Sequence, residues 1–486
     1  MIVDYAGFIG GTYHGTSRRV GVEICQNLIP WVTGGPAVTP KTPIAYQPTP
    51  GTRTFAVAGN GPIRDIFHED GRCFCVSGAE VYSVAASGAA TKLGDVATSQ
   101  LPAKIAGNGP QGQQIMVTSG GFGYIWNWST STWAQITDVD FPANVQSCEF
   151  SDGYFLVLPF NDIDVFYSAL FNGLSWDPLR LFSKTQSSDA IRNMAVVNKL
   201  IYLLGSKRTE IWQNTGDALV TFAPIQGVLI EHGINPFGGL AKVGNTIAWV
   251  GQDADGKCIP WTDVNLAPVK FSHGGIDQQF QAFERTDDAI CFTYQFNGHT
   301  MWVVTFLTEQ RTFVADMNTR PPIWHEWAYL NPATGVQEAA LARCHTFAFD
   351  KHLVGSRLDG TIYELTPAAK YDMDTRPIRR RRRAPHIFAQ QGPTTINRFR
   401  LQCDAGVANT TGQGSDPVVM LSYSTDGGMT YSDELFAEQG EQGQYSTQVE
   451  WHGLGQGDDW VFDLATSEPM DHAWSGASLD AEGDLS

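Results

Sequence analysis

Six arginines, Arg376, Arg379, Arg380, Arg381, Arg382 and Arg383, fall within eight positions of this 486-residue chain. Each guanidinium is a planar fork of donors with no acceptor, so a run of them calls for phosphate or carboxylate partners. Phosphate would mean nucleic acid. Against that, the surroundings are acidic and no aromatic residue alternates with the arginines to stack on a base. The alternative is a solvated or subunit-bridging strip whose charges are answered by carboxylates of this chain or of a neighbouring subunit. Carboxylates are abundant downstream: residues 387–486 hold 2 arginines, no lysine and 16 acids, a formal −14 within a chain total of −18. So abrupt a shift in composition marks a domain boundary.

The second constellation is Ser424, Asp426, Gly427, Gly428 and Tyr431, within Ser-Thr-Asp-Gly-Gly-Met-Thr-Tyr. Its chemistry is that of a turn. Asp426 is expected to cap backbone amides, Gly427 and Gly428 to take positive φ, and Tyr431 to pack inward. The pattern is similar to the Asp-box hairpin of sialidase propellers, yet it occurs once, and paired catalytic carboxylates cannot be assigned from it. Other catalytic patterns are missing. His325-Glu326 lacks the second histidine of a zinc helix, and there is no Gly-x-Ser-x-Gly elbow or phosphate loop. None of the eight cysteines forms a Cys-x-x-Cys pair. Cys73 and Cys75 share one strand face, where two thiols suit either a metal or, as expected here, a reduced apolar core. The expectation is no enzyme, no catalytic residue, no metal and no cofactor.

The elements that must position these residues repeat. Short strands with an aromatic or apolar core recur at Glu80–Ser83, Tyr124–Asn127, Val165–Ser168, Glu210–Gln213, Cys258–Trp261, Thr312–Ala315 and Thr361–Glu364, roughly 41 to 53 residues apart. Upstream of each lies a turn dipeptide between apolar runs: Asp70-Gly71, Asn108-Gly109, Asp152-Gly153, Asn198-Lys199, Gly244-Asn245, Asn297-Gly298 and Asp350-Lys351. These residue types supply the positive φ of two-residue hairpins. The spacing is that of four-stranded propeller blades. No amphipathic helix of more than two turns is apparent, and 50 glycines with 25 prolines suit a chain of many turns.

The predicted fold is all-β, a propeller-like domain of six or seven blades followed by a sandwich-like C-terminal β domain. Its divisions are an N-terminal arm contributing strands (1–50), the propeller (51–368), an Arg-rich connector (369–386) and the acidic β domain (387–486). No run reaches the 18 apolar residues of a membrane helix, and the N-terminus lacks the basic and apolar regions of an export signal. The chain reads as a soluble protein made in the cytoplasm.

The order of several short segments resembles one family. These are Cys25–Pro30, Pro48–Phe55, Ile63–Asp65, Cys75–Gly78, Ile136–Phe141, Ser151–Phe155, Thr209–Gly216, Leu229–Gly233, Arg379–Ile387, the Ser424–Tyr431 turn and Val449–Gln456. Together they resemble the packaged-DNA stabilisation proteins of short-tailed bacteriophages, also described as tail nozzles or tail accessory factors. The chain departs from that pattern in having little arginine around Trp451–Gln456, Tyr431 where Trp is usual, and a more uniformly basic Arg379–Arg383 run. The resemblance implies a virion tail protein, made in host cytoplasm, that forms a ring with itself, typically of six subunits. The ring sits below the head-to-tail adaptor, beside needle or plug and tailspike or fibre proteins, and passes packaged DNA through its lumen without binding it specifically. An acidic wall suits that task, because it repels DNA and lets it slide. A propeller that binds or cleaves host surface glycan is the alternative, with the Asp-box and the 14 Trp, 15 Tyr and 27 Phe in its favour.

Overall fold

A computed structural model describes residues 2–32, 42–217, 220–252, 256–388, 392–471 and 473–482. Among them seven four-stranded antiparallel blades form a ring. Blade 1 runs Ile63–Glu69, Arg72–Ser77, Glu80–Val84 and Ala90–Asp95. Blades 2 to 5 follow the same order over residues 104–135, 145–183, 191–230 and 240–270. Blade 6 is Ile290–Phe296, His299–Phe306, Arg311–Asp316 and Ile323–Leu330. Blade 7 takes three strands from residues 342–366, and its fourth is Gly51–Val57, which pairs antiparallel with Thr361–Thr366. The circle is thus closed by a strand from the other end of the propeller segment. Each recurring aromatic strand is the third of its blade, where its side chains pack between neighbouring sheets.

Turn chemistry sets most of the hairpins. Asp70 and Gly71, Asp152 and Gly153, Asn198 and Lys199, and Asn297 and Gly298 all have positive φ, as two-residue turns matching the strand twist require. Two expected turns differ. Asn108 has φ −108° and precedes a short helical turn, Gly109–Gly112; its side chain accepts a hydrogen bond from the Gln114 amide (2.7 Å) in place of adopting the left-handed region. In blade 7 the positive-φ pair is Phe349 and Asp350, so Lys351 already belongs to the next strand.

A nine-residue helix, Gly274–Ala282, exceeds the expected two turns. It buries Ile276 and Phe280 against Trp302, Phe306, Phe313 and Trp324. Its Gly-Gly start and Asp-Gln-Gln centre give little helical signal, and packing against blade 6 compensates for the weak propensity.

The N-terminal arm joins the C-terminal half. Ile2–Asp4 pairs with Trp474–Glu482, and Leu28–Val32 pairs with Ile44–Pro48 in the same sheet, which also contains Thr394–Cys403 and Val449–Gly457. The facing sheet continues outward from blade 6: Ile323–Leu330, then Val22–Gln26, Arg380–Arg383, Asp459–Thr466, Val418–Ser424 and Leu435–Glu438. Between the two sheets lie Tyr5, Phe8, Leu28, Tyr46, Phe399, Trp451, Trp460, Phe462 and Trp474. Phe399 and Phe462 meet at 4.8 Å, and Tyr5 presents an edge to both. One hydrogen-bonded sheet therefore runs from the innermost strand of blade 6 to the far edge of the sandwich.

Candidate functional site: the arginine strand

Arg380–Arg383 is not a solvated connector but an interior strand, between Val22–Gln26 and Asp459–Thr466. Strand periodicity divides its arginines between two environments. Ile378, Arg380, Arg382 and Ala384 are all buried, with Arg380 0% and Arg382 1% exposed. Arg379, Arg381 and Arg383 point the other way, toward carboxylates.

On that second face Asp463 is the shared acceptor. It lies directly across from Arg383 in the register. Arg381 donates through Nε to Asp463 Oδ1 (2.8 Å) and through Nη2 to Oδ2 (2.5 Å), and Arg383 Nε donates to Oδ2 (2.9 Å). Arg383 also lies over the Tyr431 ring at 4.5 Å, a cation–π contact. Arg379 Nη2 donates to Glu434 Oε1 (2.5 Å) at the surface. The carboxylates that answer these three arginines thus belong to the same chain. Arg376 lies in the two-residue strand Arg376–Pro377, which pairs with Tyr371–Asp372.

Arg382 answers no carboxylate. Its Nε donates to Phe8 O (2.7 Å), Nη2 to Gly7 O (3.1 Å), and Nη1 to Gly11 O (3.0 Å) and more distantly to Ile24 O (3.5 Å). One guanidinium thereby gathers the carbonyls of the N-terminal arm and holds it on the sandwich. Arg380 Nη1 donates to Glu468 O (3.1 Å), while its Nε and Nη2 have no protein partner. Burial pulls the Arg380 pKa down to about 10 against the attraction of Asp372 and Asp471. Burial likewise pushes the Asp372 carboxyl up to about 7, although the Thr52 hydroxyl and Arg380 oppose it.

Because folded Asp372 keeps its proton to higher pH than the unfolded carboxyl, stability is expected to fall as pH rises from about 4 to about 7. Asp372→Asn should flatten that slope, measured as the difference in Tm between pH 5 and pH 8. An unchanged slope would remove Asp372 as its source.

The Ser424–Tyr431 turn adjoins this strand. Asp426 Oδ1 accepts from the amides of Met429 (2.9 Å) and Thr430 (3.0 Å) and from Ser424 Oγ (2.6 Å), and Oδ2 accepts from Thr430 Oγ1 (2.6 Å). These bonds, the Ser424 hydroxyl's foremost, hold the carboxyl well below its usual range. Gly427 and Gly428 have φ 76° and 84°. Gly427 N donates to Asp459 O (2.9 Å), and Asp459 Oδ1 meets His386 Nδ1 (2.7 Å). Asp426 is therefore committed to turn geometry, and Tyr431 packs under Arg383.

Other candidates fall into the core. Cys73 and Cys75 share a face as expected, but inside an apolar cluster with Ala56, Ile66, Val84 and Ile362; burial raises the Cys73 thiol to about 12. Among the described residues no group of three or more His, Cys, Asp or Glu side chains is placed to hold a metal ion. His325 is buried and uncharged, its pKa lowered to about 3 by desolvation, and Glu326 takes the Arg311 guanidinium at 2.6 Å.

A seven-bladed propeller fused through one sheet to a β-sandwich, with its main charge cluster engaged in joining its own parts, defines an architectural class of protein. Residues 45–370 match the family model described as Bacteriophage P22 Gp10, beta-propeller, and residues 379–482 match Bacteriophage P22 Gp10, beta-sandwich. The chain belongs to this bacteriophage P22 Gp10 family, whose members are structural proteins of the phage tail. A comparison with curated proteins gives no match. Three solved structures are similar to it in loose outline. The computationally designed Ika8 protein is 13% identical at a TM-score of 0.38, over 71% of this chain and 99% of that one. The RRP9 WD40 repeats are 10% identical at 0.41, over 66% and 99%. BamB from Moraxella catarrhalis is 11% identical at 0.38, over 75% and 98%.

Proposed function

We propose that this chain forms the tail nozzle, a ring that extends the portal–adaptor channel, retains packaged DNA and conducts it during ejection without catalysing a reaction. Membership of the Gp10 family across both units is the observation that carries this reading. The channel of the propeller supports it by its unsuitability as a DNA path. Its walls come from the innermost strands of all seven blades, and the space between them is about 500 Å³. Lys242 of blade 5 reaches Glu149 of blade 3 at 2.9 Å. A duplex whose major groove alone is about 12 Å wide does not enter such a space. DNA would have to pass between subunits, which requires a ring.

The continuous sheet from blade 6 into the sandwich gives each subunit the stiffness to bear load, and the −14 of residues 387–486 suits a wall that DNA slides along. Head-to-tail packing of subunits uses heterologous surfaces, six of them in the ring the family resemblance implies. The adaptor would lie above, with needle or plug and spike or fibre proteins adjoining.

Particles assembled without this chain are expected to package DNA and then leak it, and purified chain added back should restore retention, measured as nuclease-protected genome per particle. Particles that hold and eject their genomes normally without it would refute the nozzle.

A further inference from the structure

Arg380 is fully buried, yet only one corner of its guanidinium is used. Nη1 donates to Glu468 O (3.1 Å), while Nε and Nη2 have no hydrogen-bond partner among the described residues. Those two nitrogens form one edge of the guanidinium, whose parallel N–H bonds fit the two oxygens of a carboxylate or phosphate. Two other arginines of this chain show the same edge occupied. Arg53 donates through Nε and Nη2 to the two carboxylate oxygens of Glu364 (2.9 Å each), and Arg381 does so to Asp463 (2.8 and 2.5 Å). Arg380 keeps its charge at neutral pH, since burial lowers its pKa only to about 10. A buried charge with its fork unpaired is costly, and the missing partner is one the chain does not supply.

Room for that partner lies beside it. Arg380 forms part of the wall of a cavity of about 230 Å³, with Gln47 of the N-terminal arm, Asn297 of the blade 6 turn, Lys370, and Asp404 and Asp471 of the sandwich. The carboxylates nearby leave the fork unanswered. Asp471 is engaged by Lys370, Asp404 is exposed, and Asp372 accepts from Thr52 Oγ1 (3.2 Å) and attracts Arg380 without bonding to it. Lys370 Nζ also donates to Pro367 O (2.8 Å), which leaves one of its three N–H groups unassigned. The cavity is smaller than the roughly 300–1,000 Å³ of pockets that take drug-sized ligands, so its occupant is a small ion with a few waters. Water alone would meet the hydrogen bonds and leave the charge uncompensated.

We infer that this cavity is a binding site for a small oxyanion, phosphate or carboxylate, held on the Nε and Nη2 edge of Arg380 and assisted by Lys370. Because the wall is drawn from the arm, the propeller and the sandwich, the bound ion ties the three together.

The test uses the purified full chain near neutral pH at fixed ionic strength, with inorganic phosphate as the probe and acetate as its competitor. Equilibrium dialysis should show saturable binding of one phosphate per chain, displaced by acetate, and Tm should rise with phosphate concentration; whichever ion binds more tightly names the source. Phosphate at high concentration stabilises folded proteins in general, so the variants carry the decision. R380M should have a Tm equal to or above wild type without added anion, because Met replaces an uncompensated buried charge. It should bind phosphate about tenfold more weakly or worse. K370M, at a partly exposed position, should keep the fold and weaken binding severalfold, and it decides the matter if R380M does not fold. D372N should bind as wild type does. Absence of saturable binding, or wild-type binding by R380M and K370M, would overturn the inference. So would binding that appears only in D372N, which would mean that Asp372 itself turns onto the fork.

Discussion

Asp463→Asn is expected to destabilise the sandwich by about 3 kcal/mol, at the low end of what breaking a buried ion pair costs. Asp463 is the acceptor for both Arg381 and Arg383 and is itself nearly inaccessible. An amide presents one acceptor atom and no charge, so two guanidinium groups in one sheet would face each other without compensation. The low end applies because Arg381 remains 30% exposed and water can meet part of its demand. Replacing all three residues together, with Met for each arginine and Leu for Asp463, should recover most of the loss, because the penalty comes from the orphaned charges. Urea unfolding, which leaves ionic strength unchanged, measures both. If Asp463→Asn unfolds at the wild-type urea concentration, the shared carboxylate is not what holds this face.

The Arg run also shows what the sequence discloses and what it conceals. The blades were legible because hairpin chemistry is local: a positive-φ pair such as Asp152-Gly153 between two apolar strands specifies its own geometry. Their closure by Gly51–Val57 is a pairing across some three hundred residues, and no local pattern encodes it. Within the arginine run, the division into two faces did have a signal. Ile378 and Ala384 bracket it at even positions, in phase with Arg380 and Arg382, so the apolar face of a strand continues straight through the buried arginines. That Asp463 would answer the odd positions was hidden among sixteen acids. The partners of Arg382 were more deeply concealed, since they are backbone carbonyls, which every residue possesses. The helix Gly274–Ala282 was illegible for a different reason: its stability comes from Trp302, Phe306 and Trp324, residues later in the chain.

Arg382→Met should release the N-terminal arm. The substitution retains much of the side-chain volume but leaves the buried Phe8 carbonyl, and the more accessible carbonyls of Gly7 and Gly11, without their guanidinium donor. Leaving one buried acceptor unpaired costs about 1–3 kcal/mol; water can reach the other two carbonyls, and the recovered desolvation of the guanidinium offsets part of the loss. Arg382→Lys should rescue little, because an ammonium lacks the planar fork that reaches several carbonyls at once. The effect should be seen first as local opening. Ile2–Asp4 would separate from Trp474–Glu482, and the hairpin bearing exposed Arg18 and Arg19 would lose its base at Val22–Gln26. Trypsin should then cut at Arg18 or Arg19 at least tenfold faster than in the wild type, well before the propeller is attacked, because blade closure depends on Gly51–Val57 and not on the arm's first strands. The same cleavage rate in Arg382→Met and wild type would mean that Tyr5, Phe8 and Tyr46 in the sandwich core hold the arm by themselves.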